Sequence, residues 1–154
     1  MKSFFDYDGS AERTDILDFL VAFGPDDWQA LLDYTQTERF TAGQVILPLG
    51  SRDRSLYIIG AGSVEVLVGP RPRQWRIATC DEGDVIGEQV FLDGEERSAE
   101  VRALTDVSLV KLSFEAFEAF AAHYPELART FLLDLGRIIS LRLRATTALV
   151  VARR

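Results

Sequence analysis

A single cysteine, Cys80, and a single histidine, His123, remove several kinds of chemistry from this 154-residue chain. One thiol cannot close a disulfide within the chain, and zinc or iron–sulfur sites of the usual Cys/His kind lack ligands. A Ser–His–Asp or Cys–His mechanism would have to run through His123. That residue sits in Ala121-Ala122-His123-Tyr124-Pro125, a helix-to-helix junction that suits a surface or capping role. A jelly-roll oxygenase would need a His-rich metal site, which one His does not supply. The sequence therefore predicts neither an enzyme nor a metal protein. Also missing are a charged-then-apolar leader and an apolar run of membrane-spanning length, so a cytoplasmic protein without membrane contact is expected. The net charge is −7, whereas a surface built for nucleic acid is basic. No direct nucleic-acid binding by this chain is expected.

Apolar residues make up 47% of the sequence, enough for one domain with a real core and no staples. The charge is uneven. Residues 125–154 carry six Arg (129, 137, 142, 144, 153 and 154) against Glu126 and Asp134, a net of +4, which leaves −11 for the remainder. This fits a helix with a solvated basic face, or a basic helix that meets an acidic partner.

Three periodicities divide the chain. Residues 1–34 read as a helical lead-in. Ile16, Leu17, Phe19, Leu20 and Phe23 recur at helical spacing until Gly24-Pro25 breaks the pattern. Pro25-Asp26-Asp27 then opens a second short helix with Trp28, Leu31 and Leu32 on its apolar side. Residues 35–112 read as short strands punctuated by Gly, Asp and Pro: Val45-Ile46-Leu47, Leu56-Tyr57-Ile58-Ile59, an alternating Val64-Glu65-Val66-Leu67-Val68, Trp75-Arg76-Ile77-Ala78, Ala99-Glu100-Val101-Arg102-Ala103 and a last strand over 107–112. That even spacing suggests a sandwich, jelly roll or barrel. Residues 113–154 are helical again. Ser113 opens a helix bearing Phe114, Phe117 and Phe120, Tyr124-Pro125 ends it, and a long helix follows to about Ala152. At 1.5 Å per residue that helix is about 40 Å long, more than a small roll covers. Phe131, Leu135, Ile138 and Leu149 are expected to need a partner, and a second copy packed in parallel across a two-fold axis supplies one. A homodimer through this helix is predicted.

One connection, residues 85–99, carries candidate chemistry. Gly87 lets a backbone amide approach a ligand. Glu88 begins a run over 89–92 that is too short for an ordinary helix but suits one turn, whose first amides can donate to an anion or a sugar oxygen. Asp93-Gly94 ends the turn, and Arg97-Ser98 follow where the chain re-enters a strand. A guanidinium can make two parallel bonds to a phosphate. An Arg beside Glu95-Glu96 equally fits a surface ion-pair cluster, and spacing alone leaves both readings open.

Gly87-Glu88, eight intervening residues and then Arg97-Ser98-Ala99 resemble the phosphate-binding cassette of the cyclic nucleotide-binding domain family. That family includes bacterial catabolite activators, regulatory subunits of cAMP-dependent kinase and cyclic nucleotide-gated channels. Phe40-Thr41-Ala42-Gly43-Gln44-Val45-Ile46 is similar to the family's opening strands, and the glycine-punctuated stretch from Gly50 through 56–66 to its central pair. The resemblance covers about residues 35–152 and looks closest to the catabolite activator branch.

The resemblance implies a mainly β fold with flanking helices. It would be a double-stranded β-helix, or jelly-roll-like β-roll, with short N-terminal helices, a one-turn cassette helix within residues 86–99 and a long C-terminal helix. It implies a regulatory domain that binds a cyclic nucleotide, cAMP with cGMP as the alternative, and couples binding to movement of the C-terminal helix. Glu88 would accept the ribose 2′-hydroxyl, Arg97 would pair with the cyclic phosphate, Ser98 would donate to it, and the Gly87 and Ala99 amides would complete the cradle. Gln89 and Val90 belong to the same ligand-binding set, and Val90, Leu92, Val85 and Val101 would carry the apolar faces. In catabolite activators a Thr-Ser pair on the long helix reads the adenine. The equivalent places here hold Arg142 and Leu143, with Thr146-Thr147 a turn further on, so Arg142, Leu143 and Thr146 are the candidate base lid. Two alternatives stand beside this reading: an interaction module of the same fold without a ligand, and the sensor piece of a transcription regulator. Catabolite activators continue into a helix-turn-helix domain after the long helix, and none follows Arg154 here, so a separate effector protein is the other expectation.

Overall fold

The computed structural model describes residues 19–152. The predicted helix over residues 10–23 falls largely outside them, and its described end, from Phe19 to Ala22, is a turn. The chain then runs α1 (Pro25–Leu32), β1 (Gln36–Phe40), β2 (Val45–Leu47), β3 (Ser55–Ala61), β4 (Val64–Val68), β5 (Trp75–Cys80), β6 (Val85–Ile86), α2 (Glu88–Asp93), β7 (Glu100–Ala103), β8 (Val107–Ser113), α3 (Phe114–His123) and α4 (Pro125–Ala152). The eight strands form two antiparallel four-stranded sheets, ordered β1-β8-β3-β6 and β2-β7-β4-β5. The fold is the expected mainly β roll with flanking helices.

Alternation along β3 builds two cores from one strand. Tyr57 and Ile59 point between the sheets, where Val64, Val66, Val101 and Leu109 meet them. Leu56 and Ile58 point to the opposite face, which the helices cover. Both faces are covered over residues 55–59, so that part of the strand reads as an unbroken buried run. The helical layer is aromatic. Phe91 of α2 makes edge contacts with Phe114 and Phe117, ring centroids 5.5 Å apart in both pairs, and with Phe131 of α4 at 6.3 Å. Such pairs add about 0.5–1.5 kcal/mol each beyond area burial.

Local chemistry fixes the helix ends. The Ser113 hydroxyl accepts from the Ala116 amide at 3.1 Å, which starts α3. Pro125 cannot continue α3 but suits the first turn of α4. On α1, Leu31 is buried as expected, Trp28 packs at the edge of the core, and Ala30 rather than Leu32 completes the inner face.

The expectation for α4 needs correcting. Phe131, Leu135 and Ile138 are not an overhang: with Ala128 they recur at three and four residues and sit in this chain's own core. The uncovered apolar residues are Leu132, Leu133, Leu143, Val150 and Val151. Arg142 is the last buried residue of the helix.

Candidate functional site

β6 is two residues long and hydrogen-bonds to β3. It delivers the chain to Gly87, whose φ of +79° is left-handed and opens α2. A Cβ at Gly87 would lie 2.9 Å from Arg97 Nη1 and 3.0 Å from the Ser55 carbonyl oxygen, so glycine is required by conformation and by space. Gly94, also left-handed, closes α2 with its amide on the Val90 carbonyl at 2.8 Å. Arg54 binds the carbonyls of Phe91 and Leu92 through its guanidinium and lies 3.7 Å over the Phe114 ring. A cation at a helix C-terminus is favourable, and here it ties α2 to the roll.

The turn faces a cavity of about 200 Å³. All seven sequence-predicted binding residues, Gly87, Glu88, Gln89, Val90, Arg97, Ser98 and Ala99, line it. Leu47, Val66, Val68, Ile77, Ile86 and Val101 form its apolar wall. Of the four apolar rests expected, Val90 and Val101 face the cavity. Val85 belongs instead to the helical core, and Leu92 is exposed away from the cavity. The sequence did not single out Leu47, Val66, Val68, Ile77 or Ile86, because inward alternation looks the same at a core as at a cavity wall.

Arg97 is only 5% exposed. Its Nη2 donates to the backbone carbonyls of Asp53 at 2.6 Å and Ser55 at 2.8 Å, and its Nε has no hydrogen-bond partner. The acids beside it in sequence do not hold it. Glu96 pairs with Arg52 at 2.9 Å on the surface, and the Glu95 amide binds Asp93. The surface ion-pair reading of Arg97 is therefore not what the fold makes. Burial lowers the guanidinium pKa, and Asp53, Tyr57 and Glu88 oppose that shift. The result is a buried cation facing a cavity with neutral oxygens as its direct partners, a costly arrangement unless an anion joins it.

Glu88 is also buried. Its Oε1 lies 2.9 Å from Arg142 Nη1, and Arg142 Nη2 donates to the Val85 carbonyl at 2.8 Å. The long helix thus reaches the cassette through a buried ion pair as well as through the Phe91–Phe131 ring contact. None of the three lid candidates borders the cavity: Arg142 is buried against Glu88, Leu143 is 65% exposed, and the Thr146 hydroxyl donates to the Arg142 carbonyl of its own helix. Arg142 carries a different connection from the one considered for it, and no local sequence signal announces it, since the two partners are 54 residues apart.

A second buried acid lies just beyond the cassette. Burial alone would raise the pKa of Glu100, but hydrogen bonds from Arg71 and Arg102, with Gln74 beside them, hold it below the ordinary carboxylate range. This pins the β4–β5 hairpin tip to β7. Among the described residues no cluster of His, Cys, Asp and Glu could hold a metal ion, and no helix is long and apolar enough to cross a membrane.

Residues 37–124 match the family described as cyclic nucleotide-binding domain. The cAMP-activated global transcriptional regulator Vfr of Pseudomonas aeruginosa is 32% identical over 122 residues, 76% of this chain and 55% of that protein. Glutaminase 2 of Bradyrhizobium diazoefficiens is 30% identical over 131 residues, 85% of this chain and 20% of that protein. The chain thus spans about half of one relative and a fifth of the other. A cyclic nucleotide-binding domain from Methylobacillus flagellatus superposes with a TM-score of 0.80 at 24% identity, covering 91% of this chain and 81% of that one, a likeness of fold.

Proposed function

Because this chain belongs to the cyclic nucleotide-binding domain family, we propose that it is a receptor for cAMP that reports occupancy through α4. The observation that carries the reading is Arg97, a buried guanidinium on the cavity wall whose hydrogen bonds go to neutral carbonyls. A cyclic phosphate diester carries one negative charge and would compensate it with short, charge-assisted bonds. Ser98 lies beside Arg97 on the cavity wall, and its hydroxyl is the donor to a second phosphate oxygen. Glu88 is the acceptor for the ribose hydroxyl, and the apolar wall takes the sugar and base.

Coupling follows from the partners Glu88 already has. A ribose hydroxyl on Glu88 changes the electrostatics of the Glu88–Arg142 pair, and Arg142 stands on α4. Phe91, on the far side of the same short helix, packs against Phe131 of α4. A nucleotide shifts α4 only by as much as it prefers one seating over another, and couplings of this kind run to about 1–3 kcal/mol. Leu132, Gly136, Ile139, Leu143, Thr146 and Val150 recur on α4 at four and three residues, a coiled-coil spacing. That stripe supports a homodimer through α4, with occupancy read by a separate effector or by further parts of a longer regulator.

Calorimetry with cAMP and cGMP tests the reading. Saturable heat for cAMP, lost in Arg97→Ala and reduced in Glu88→Ala, is expected. A wild-type protein that takes up neither nucleotide at about 100 µM would instead be an interaction module of the same fold.

A further inference from the structure

The β4–β5 hairpin carries an indole next to two residues that line the cavity. Trp75 is 60% exposed, a large apolar surface left in water. It stands opposite Val68 in the ladder, and directly opposed side chains share a face of the sheet. Val68 lines the cavity, as does Ile77.

The orientation of Trp75 depends on a bulge. Val66 pairs with Ala78, and both are buried on the inner face. Strict alternation from Ala78 would turn Trp75 outward. The register shifts between Val66 and Leu67, so β5 carries one extra residue there. Arg76 then pairs with Leu67 and reaches outward to Glu65 at 3.6 Å, while Trp75 comes round to the cavity face. Gly69 leaves room for the ring. Its φ is +94°, and a Cβ on it would lie 2.9 Å from Trp75 Cζ3.

The cavity is smaller than most ligand sites, about 200 Å³ against roughly 300–1,000 Å³. A nucleotide whose phosphate meets Arg97 therefore extends past the apolar wall toward the rim. The candidate lid on α4 does not border the cavity, whereas the hairpin does through Val68 and Ile77, the residues that flank Trp75 across and along the ladder.

We propose that Trp75 is a specificity-determining residue of this site: its indole stacks on the purine of the bound cyclic nucleotide, and the hairpin, not α4, covers the base. This rests on reading the cavity as a cyclic nucleotide site. Stacking of this kind discriminates poorly among purines, because each offers a π-face, and it favours purines over the smaller pyrimidines.

The chain has two tryptophans, so Trp28→Phe leaves Trp75 as the sole indole reporter. That protein is titrated with cAMP, cGMP and cCMP, following fluorescence and heat together. Quenching that saturates with the calorimetric Kd is expected. Trp75→Ala should weaken both purine nucleotides about tenfold or more and cCMP less, whereas Trp75→Phe should keep most of the affinity. Fluorescence that stays flat at saturating cAMP, or a Trp75→Ala protein that binds cAMP within about twofold of its parent, overturns the stacking role while leaving the site intact. A parent protein that binds no cyclic nucleotide overturns both readings.

Discussion

A buried charge must be compensated, and the two buried cations near the cassette are compensated differently. Arg142 has a carboxylate, whereas Arg97 has carbonyls. Arg97→Lys should therefore behave almost as badly as Arg97→Ala. A point charge cannot keep the Asp53 and Ser55 carbonyls and also present a planar fork to an anion. Nucleotide affinity should fall by about 100-fold in either variant, the scale of one or two charge-assisted bonds, as read by calorimetry. Glu100 gives a test without ligand. Its pKa is held below the ordinary range in the folded state, so its contribution to stability is present above the unfolded-state value and lost as pH falls through the folded one. Urea unfolding should show Glu100→Gln less stable than wild type at pH 7 by about 1–3 kcal/mol, with the gap closing as pH falls below the carboxylate range. The cassette residues were legible because their spacing is local, within thirteen positions from Gly87 to Ala99. The Glu88–Arg142 pair was not, because long-range pairing leaves no periodic trace.

At the scale of elements, α2 is the joint of the molecule. Its inner side carries Glu88 and Val90 to the cavity, and Phe91 sits among the rings of α3 and α4. Removing either link should have a different effect. Arg142→Ala leaves a buried carboxylate without its partner and should destabilise the fold by about 3–5 kcal/mol. Phe91→Leu keeps the charge pair, trims the aromatic contact, and should cost about 1–2 kcal/mol. Hydrogen exchange on α4 with and without cAMP checks the coupling: the ligand should alter protection in wild type, and the alteration should be lost in Arg142→Ala. Most strands were readable from alternation and turn residues. The two that lacked a clear outline have physical reasons. β1 is polar and largely exposed, and β6 has only two residues, both buried, so neither shows a period.

For the whole molecule, α4 presents one face to the roll and leaves another uncovered. The inner positions 128, 131, 135 and 138 and the outer positions 132, 136 and 143, with half-buried Ile139 at the border between them, follow the same helical spacing, so helical periodicity predicted the element but not which stripe the roll would occupy. That degeneracy is why the residues first assigned to the overhang lie in the core. Sedimentation should find a dimer at tens of micromolar protein, and Leu143→Glu, changing a residue 65% exposed, should yield a folded monomer with an unchanged melting temperature in dilute solution. A monomeric wild type would remove the dimer proposal and leave the cavity untouched.

Arg142 is where the grip on α4 stops, with ten residues of helix from Leu143 to Ala152 beyond it. That projecting length is about 15 Å. Pivoting at Arg142 by about ten degrees would sweep its tip through about 3 Å, farther than most side-chain adjustments at the pivot itself. A small event at one carboxylate would thus arrive at the far end as a displacement that a neighbouring protein can feel.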